Sequence, residues 1–202
     1  VPNRRVRLRD GPGHAQSAAV TIDPAKRHDM TLPPCPGLLP QRPRCARCGL
    51  GRPDSSACPA CEQTAFAFDA TCVLADYAPP LDRLIGALKF GGQLAAASAL
   101  GQEMARALRH RQTSPAPEQL PPIDLIVAVP LSPARRQERG YDQAQAIARA
   151  LGRASAITHR RALVRLRQTQ AQSTLPRLER AANLLHAFGP LPGLRLDGAH
   201  IA

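Results

Sequence analysis

The sequence predicts an α/β protein in which a parallel sheet flanked by helices follows a small cysteine-rich module. Residues 123–129, IDLIVAV, have the aliphatic and β-branched character of a strand buried on both faces of a parallel sheet. Upstream of that strand, two pairs of cysteines stand at CxxC spacing. The 202 residues, 44% of them hydrophobic, are enough for one ordinary domain and one small module.

Residues 1–34 are predicted to be disordered, because they offer few large apolar side chains to a core. The alternative is that the start of the chain is wrongly assigned and this segment is not part of the native protein. Their basic start is not followed by the apolar segment of a secretory signal. The sequence also has no run approaching the roughly eighteen apolar residues of a membrane span. We therefore expect a cytoplasmic protein with no membrane span.

The paired cysteines predict a structural zinc site formed by Cys45, Cys48, Cys58 and Cys61. Two CxxC pairs joined by a short hairpin supply four thiolates in tetrahedral geometry, and Gly49 suits the tight turn after the first pair. Two disulfides are the alternative, but they need an oxidising compartment to which no export signal directs the chain. We place this zinc-ribbon domain at residues 35–72.

Two further cysteines, Cys35 and Cys72, have no CxxC partner. Cys72 lies in ATCVLADY, which has the composition of a strand, so we expect it to be buried as a small hydrophobic residue.

Helical periodicity begins after the ribbon. Leu81, Leu84 and Leu88 share one face of a predicted helix that begins at Pro80 and stops at residues 91–92, both glycine. Lys89, at its end, either complements the helix C-terminus or contacts a ligand. A second helix is predicted at about residues 94–109, and a Pro-rich loop over residues 112–122 leads into the central strand.

The central strand ends at Pro130, and a polar, basic loop is predicted up to Gly140, where a helix begins. Ligands of open α/β sheets bind beyond the carboxyl ends of the strands, where this loop carries Arg135, Arg136 and Arg139. The arginines either bind phosphate or form a solvated loop, and Arg139 has a further alternative, an ion pair with Glu138 or Asp142.

The rest of the chain alternates between strand and helix patterns. A second strand is predicted at residues 162–164, followed by a long polar loop and a helix over residues 178–185. A strand is expected after residue 186, a turn at residues 190–193, and the beginning of another strand at residues 199–202.

The segment VPLSPARRQERGYDQA, with LIGALKF before it and QTQAQSTLPRLERAANLLHAF after it, resembles the ComF family of competence proteins, also called the GntX type. The resemblance covers about residues 35–202. It implies a zinc ribbon followed, over residues 73–202, by a type I phosphoribosyltransferase-like parallel sheet that is incomplete at the C-terminus. It also implies a phosphoribosyl pyrophosphate or related ligand, with Mg²⁺ in the full-length protein, and a role in DNA uptake or nucleotide metabolism.

The resemblance assigns two groups of site residues. Those expected at the phosphate or pyrophosphate are Ser132, Arg135, Arg136, Arg139, Gly140 and Tyr141. Those expected on a flexible loop that closes over the sugar and excludes water are Thr169, Gln172, Arg177 and Arg180. The acidic pair and the Thr-rich ribose-phosphate loop of the family would follow Ala202, so this chain is expected to be inactive as a phosphoribosyltransferase.

The other interpretation is a non-catalytic accessory protein that binds single-stranded DNA or a competence helicase through the ribbon and an arginine-rich face. A net charge of +12, from 27 basic and 15 acidic residues, favours anionic partners, although an arginine-rich composition alone can produce it. Aromatic residues make up only 3% of the chain, which argues for phosphate contacts over base stacking.

Overall fold

The computed structural model describes residues 43–52, 58–115 and 119–202. The prediction of disorder for residues 1–34 and the position of Cys35 lie outside these ranges. The elements, in chain order, are α1 (Pro59–Gln63), α2 (Leu81–Phe90), α3 (Leu94–Thr113), β1 (Leu125–Ile126), α4 (Pro133–Arg139), α5 (Gln143–Ser155), β2 (Thr158–His159), β3 (Leu163–Arg165), a 3₁₀ turn (Gln172–Thr174), α6 (Arg177–Leu184) and β4 (Phe188–Pro190). None of the helices in the described ranges combines the length and apolar character needed to cross a bilayer.

The predicted central strand is the middle of a small parallel sheet. Leu125 pairs with Thr158 of β2 on one side and with Ile201 on the other, and both pairings are parallel. The backbone N–H of Val127 donates to the carbonyl of Ala202 at 2.7 Å, and this hydrogen bond extends the pairing with residues 201–202. The regular part of β1 is only two residues long, but both are buried as predicted.

Helices α3 and α5 pack on the β1 segment with a core of small and medium side chains, and α2 packs on α3 in a neighbouring cluster. Leu88 of α2 is the largest side chain that is fully buried in the described part of the chain. Helix α3 approaches α5 closely at Gly101, where an added Cβ would lie 2.5 Å from the Cβ of Ala150. The predicted period of α2 and its stop at Gly91 are confirmed, whereas α3 continues to Thr113, four residues beyond the predicted end.

Two predicted strands are corrected. The run at residues 162–164 does form a strand, β3, but β3 pairs antiparallel with β4 and not with β1. The parallel neighbour of β1 is β2, a pair of polar residues that hydrophobicity does not reveal. Cys72 lies in irregular backbone and is exposed, so the expected buried strand is not formed there.

Candidate metal centre and phosphate-binding edge

The first cysteine pair lies on a tight turn. The backbone N–H of Gly49 donates to the carbonyl of Cys45 at 2.8 Å, and an antiparallel bridge joins Arg44 to Gly51 on either side of the turn. Gly49 has φ +74°, and an added Cβ would lie 2.7 Å from Cγ2 of Val73. The predicted need for glycine at this position is therefore confirmed, both by its left-handed backbone and by the close approach of the following segment.

The second pair lies at the start of α1. Cys58 is the N-cap residue, Pro59 is the first helical residue, and the N–H of Cys61 donates to the carbonyl of Cys58 at 2.9 Å. Proline suits this position because its missing N–H has no partner in the first helical turn. The turn and the short helix thus each present two sulfurs from one CxxC pair.

The four sulfurs form one cluster. All four Sγ atoms lie within 4.8 Å of one another. Cys45 and Cys61 are 3.6 Å apart, and Cys48 and Cys58 are 3.7 Å apart. A tetrahedral zinc ion with Zn–S bonds of about 2.3 Å requires S–S separations of about 3.8 Å, whereas a disulfide requires about 2.0 Å. The cysteines are free thiols spaced for a metal ion.

The protonation of the cluster depends on the same arrangement. The backbone N–H of Cys61 stabilises the Cys58 thiolate and lowers its pKa to about 6. Removal from water, with hydrogen bonds to the other sulfurs, raises the pKa of Cys61 to about 12. Four thiolates this close cannot all ionise without a cation between them, and a divalent metal supplies that charge.

Hydrogen bonds join the turn that carries the first cysteine pair to the segment around Thr71. The Thr71 hydroxyl donates to the carbonyl of Arg47 at 2.7 Å, and the N–H of Thr71 donates to the carbonyl of Ala46 at 3.2 Å. The Arg44 side chain donates to the carbonyl of Gly49 at 3.0 Å and pairs with Asp76. The turn that carries Cys45 and Cys48 is therefore hydrogen-bonded to the chain leading into α2.

Beyond the carboxyl end of β1, the predicted basic loop is largely the helix α4, which corrects that prediction. Ser132 caps this helix by accepting a hydrogen bond from the N–H of Arg135 at 3.4 Å, and Gly140 ends it with φ +75°. Asp142 then caps α5 through Gln145 and also accepts from the N–H of Leu131 at 2.9 Å. One carboxylate thus fixes both sides of α4.

The arginines of α4 differ in their surroundings. Neither Arg135, half-buried, nor Arg136, exposed, has a side-chain hydrogen bond or ion pair within the described ranges. Arg139 lies with its guanidinium 5.4 Å from the ring centroid of Phe90. Among the described residues it forms no ion pair with Glu138 or Asp142, so that alternative for Arg139 is not observed.

Tyr141 has a structural partner. Its hydroxyl donates to the carbonyl of Leu88 in the last turn of α2, and burial raises the pKa of the phenol. The hydroxyl assigned to phosphate by resemblance thereby holds α2 against the α4–α5 junction.

A polar network missed by sequence reasoning lies below this edge. The amide of Gln145, a buried residue, donates to the carbonyl of Ala128 at 3.5 Å, and its oxygen accepts from Nε2 of His159 at 3.0 Å. Burial lowers the pKa of His159, and the positive charges of Arg149 and Arg161 lower it further. Only the register of α5 against β1 and β2 brings these groups together, so no local sequence signal identifies them.

The expected flexible loop is held by its own hydrogen bonds. The guanidinium of Arg165 donates a hydrogen bond to the hydroxyl of Thr169. The side chain of Gln172 donates to the carbonyl of Arg180 at 3.2 Å, and the side chain of Arg180 donates to the carbonyl of Leu175 at 3.1 Å. The side chain of Arg177 lies outside the described part. Among the described residues, no hydrogen bond or ion pair connects this group with Arg135 or Arg136.

Comparison with known proteins gives a consistent set of relatives. The chain is 36% identical over 147 residues to DNA utilization protein YhgH of Escherichia coli (strain K12), a match that covers 71% of this chain and 63% of that protein. It is 31% identical over 158 residues to DNA utilization protein YhgH of Salmonella typhi, covering 75% of this chain and 68% of that protein. The chain thus spans somewhat under two thirds of the Escherichia coli relative. No family model and no solved structure matches it.

Proposed function

The chain belongs to the family of DNA utilization protein YhgH, and on that basis we propose that it acts in DNA utilization by binding the phosphate groups of single-stranded DNA. The observation that carries the proposal is the pair Arg135 and Arg136, two cations without a partner in the described ranges, beyond the carboxyl end of β1. Guanidinium groups bind phosphate oxygens through two parallel hydrogen bonds, and each phosphate neutralised releases counterions.

The four-cysteine cluster has a structural role in this proposal. Zinc is the metal that four thiolates commonly bind in tetrahedral geometry. Such a closed site leaves no position for water or substrate, so its role is structural. The ion would hold together the ribbon that we place at residues 35–72, a segment too small to fold on its own core. The domain at residues 73–202 would then carry the binding surface.

A second candidate is a phosphoribosyl or pyrophosphate ligand at the same edge, as in type I phosphoribosyltransferases. The position of β1 between two parallel partners favours it, because small ligands of open α/β sheets bind where such strands end. The resemblance to the ComF family is its other support. Mg²⁺ would accompany such a ligand as a counterion of its pyrophosphate.

A titration of the purified 202-residue protein tests both candidates. Single-stranded DNA, pyrophosphate and phosphoribosyl pyrophosphate are titrated into the wild type and into the variants Arg135→Ala and Arg136→Ala at two salt concentrations. We expect each variant to lose about 1.5–3 kcal/mol of DNA binding for each charged hydrogen bond removed, with a shallower salt dependence. Lysine at either position should not restore the full affinity, because it lacks the planar fork.

Arg195→Ala is the matched control, since it removes the same charge from a side chain that is 91% exposed and whose only ion pair among the described residues is with Asp197. A loss confined to pyrophosphate and phosphoribosyl pyrophosphate would favour the second candidate. Equal binding of all ligands by wild type, Arg135→Ala and Arg136→Ala would refute the assignment of these arginines.

A further inference from the structure

Phe90 is an aromatic side chain in an unusual position. It is the last residue of α2 and is 81% exposed, on the face opposite the leucines at positions 81, 84 and 88, which are buried in the core. Leaving an aromatic surface of this size in water forgoes the stabilisation that burial would provide. The chain therefore presents a nearly free aromatic ring at its surface.

The ring is oriented by an arginine. The guanidinium of Arg139 lies 5.4 Å from the centroid of Phe90, a distance at which the cation is attracted to the ring face. The Nε atom of Arg139 is buried and has no hydrogen-bond partner within the described residues. Phe90 is 81% exposed in spite of this contact, so Arg139 leaves most of the ring open to a ligand.

The surroundings of Phe90 suit a nucleic acid strand. Arg135 is four residues before Arg139, so the two arginines lie on the same side of α4, about 6 Å apart along the helix axis. On the other side of Phe90 the chain continues into Gly92, where a Cβ would meet nothing within 4 Å. The ring thus lies beside Arg139, Arg135 lies one helical turn further along α4, and the backbone after the ring leaves open space.

We propose that Phe90 stacks against an unpaired base of single-stranded DNA, while Arg139 and Arg135 bind the adjoining phosphates. An aromatic platform next to cations is how single strands are bound without sequence readout, since every base has a π-face. A duplex keeps those faces stacked and unavailable. A free nucleotide requires a more enclosing pocket. The open position of Phe90 therefore favours a nucleic acid strand as the ligand.

This inference rests on the DNA-binding function proposed above, and it adds contact with the bases. The test measures the binding of a homothymidine strand and of an abasic strand of the same length to the wild type and to Phe90→Ala. The two strands carry the same phosphates, so the ratio of their affinities isolates the contribution of the bases.

We expect the wild type to bind the thymidine strand about 5- to 100-fold more tightly than the abasic strand, as one stacked base provides. Phe90→Ala should lose this preference and bind the abasic strand like the wild type. Phe90→Leu, which retains an apolar side chain without a π-face, should behave like Phe90→Ala. A thermal midpoint equal to that of the wild type confirms that the substitution of this exposed residue leaves the fold intact.

Tyr77→Ala is the matched control, because Tyr77 is an aromatic residue 70% exposed ahead of the opposite end of α2. It should keep the wild-type ratio. A wild type that binds both strands equally would overturn the stacking role and leave phosphate binding intact, whereas failure to bind either strand would overturn both proposals. Retention of the ratio in Phe90→Ala, or competition by thymidine monophosphate at the affinity of the strand, would also overturn the inference.

Discussion

Replacing Gly49 by alanine should weaken the metal site without touching a sulfur. The residue has φ +74°, a left-handed conformation that costs a residue with a Cβ about 1–2 kcal/mol. The new methyl group would also lie 2.7 Å from Cγ2 of Val73 and 3.0 Å from Cγ2 of Thr71, so these side chains would have to move. Folding and metal binding are coupled in small metal-binding modules, so we expect this cost to appear in the metal affinity.

The backbone cost alone corresponds to zinc binding about 5- to 30-fold weaker, since 1.4 kcal/mol is a factor of ten. Elemental analysis of the wild type should first show about one zinc ion per chain. Competition with a chromophoric chelator then compares the variants. Gly51→Ala is the control on the same turn, because an added Cβ there meets nothing within 4 Å.

Equal zinc affinity for Gly49→Ala, Gly51→Ala and wild type would refute the role assigned to the left-handed turn. A wild type that is folded without metal, with all four thiols open to titration, would refute the zinc site itself.

Two further predictions concern side chains near the carboxyl edge of the sheet. Tyr141→Phe should lower the free energy of unfolding by about 1 kcal/mol in urea denaturation, because the carbonyl of Leu88 loses its donor, and unchanged DNA binding would show that the hydroxyl is structural. Burial holds the pKa of His159 in the folded state below the ordinary value of about 6.5, so the unfolded chain binds the proton more readily and stability falls as the pH drops below about 6.5. His159→Gln should reduce this loss in denaturation measured across that range, and an identical pH profile for the variant would exclude His159 as its source.

The sequence predicts those elements whose own side chains carry a periodic signal. Leucines 81, 84 and 88 share one buried face of α2, and the CxxC pairs determine a cluster through spacing alone. Helix α4 buries none of its residues, so it has no apolar period to detect, although Ser132, Pro133 and Gly140 are the capping residues that could have revealed it.

Other features depend on tertiary contacts. The strand β2 consists of Thr158 and His159 and is defined by its backbone pairing with β1. Phe90 is two residues after Leu88 and lies on the opposite face of α2, so the helical period places it in solvent, but its contact with Arg139 depends on how α4 is positioned. The overall 3% of aromatic residues argued against base stacking, but a single well-placed ring is sufficient for it.

The pairing of β1 also bears on how the chain reaches its folded state. The carboxylate of Asp124 accepts from the N–H of His200 at 2.9 Å, across 76 residues of sequence. During synthesis β1 emerges long before this partner, so one of its edges has unpaired backbone groups while the elements from α4 to β4 are being made. Such long-range pairing slows folding and prolongs the time during which an unpaired strand edge can aggregate. We therefore expect the rate at which residues 199–202 are synthesised to affect the yield of soluble protein.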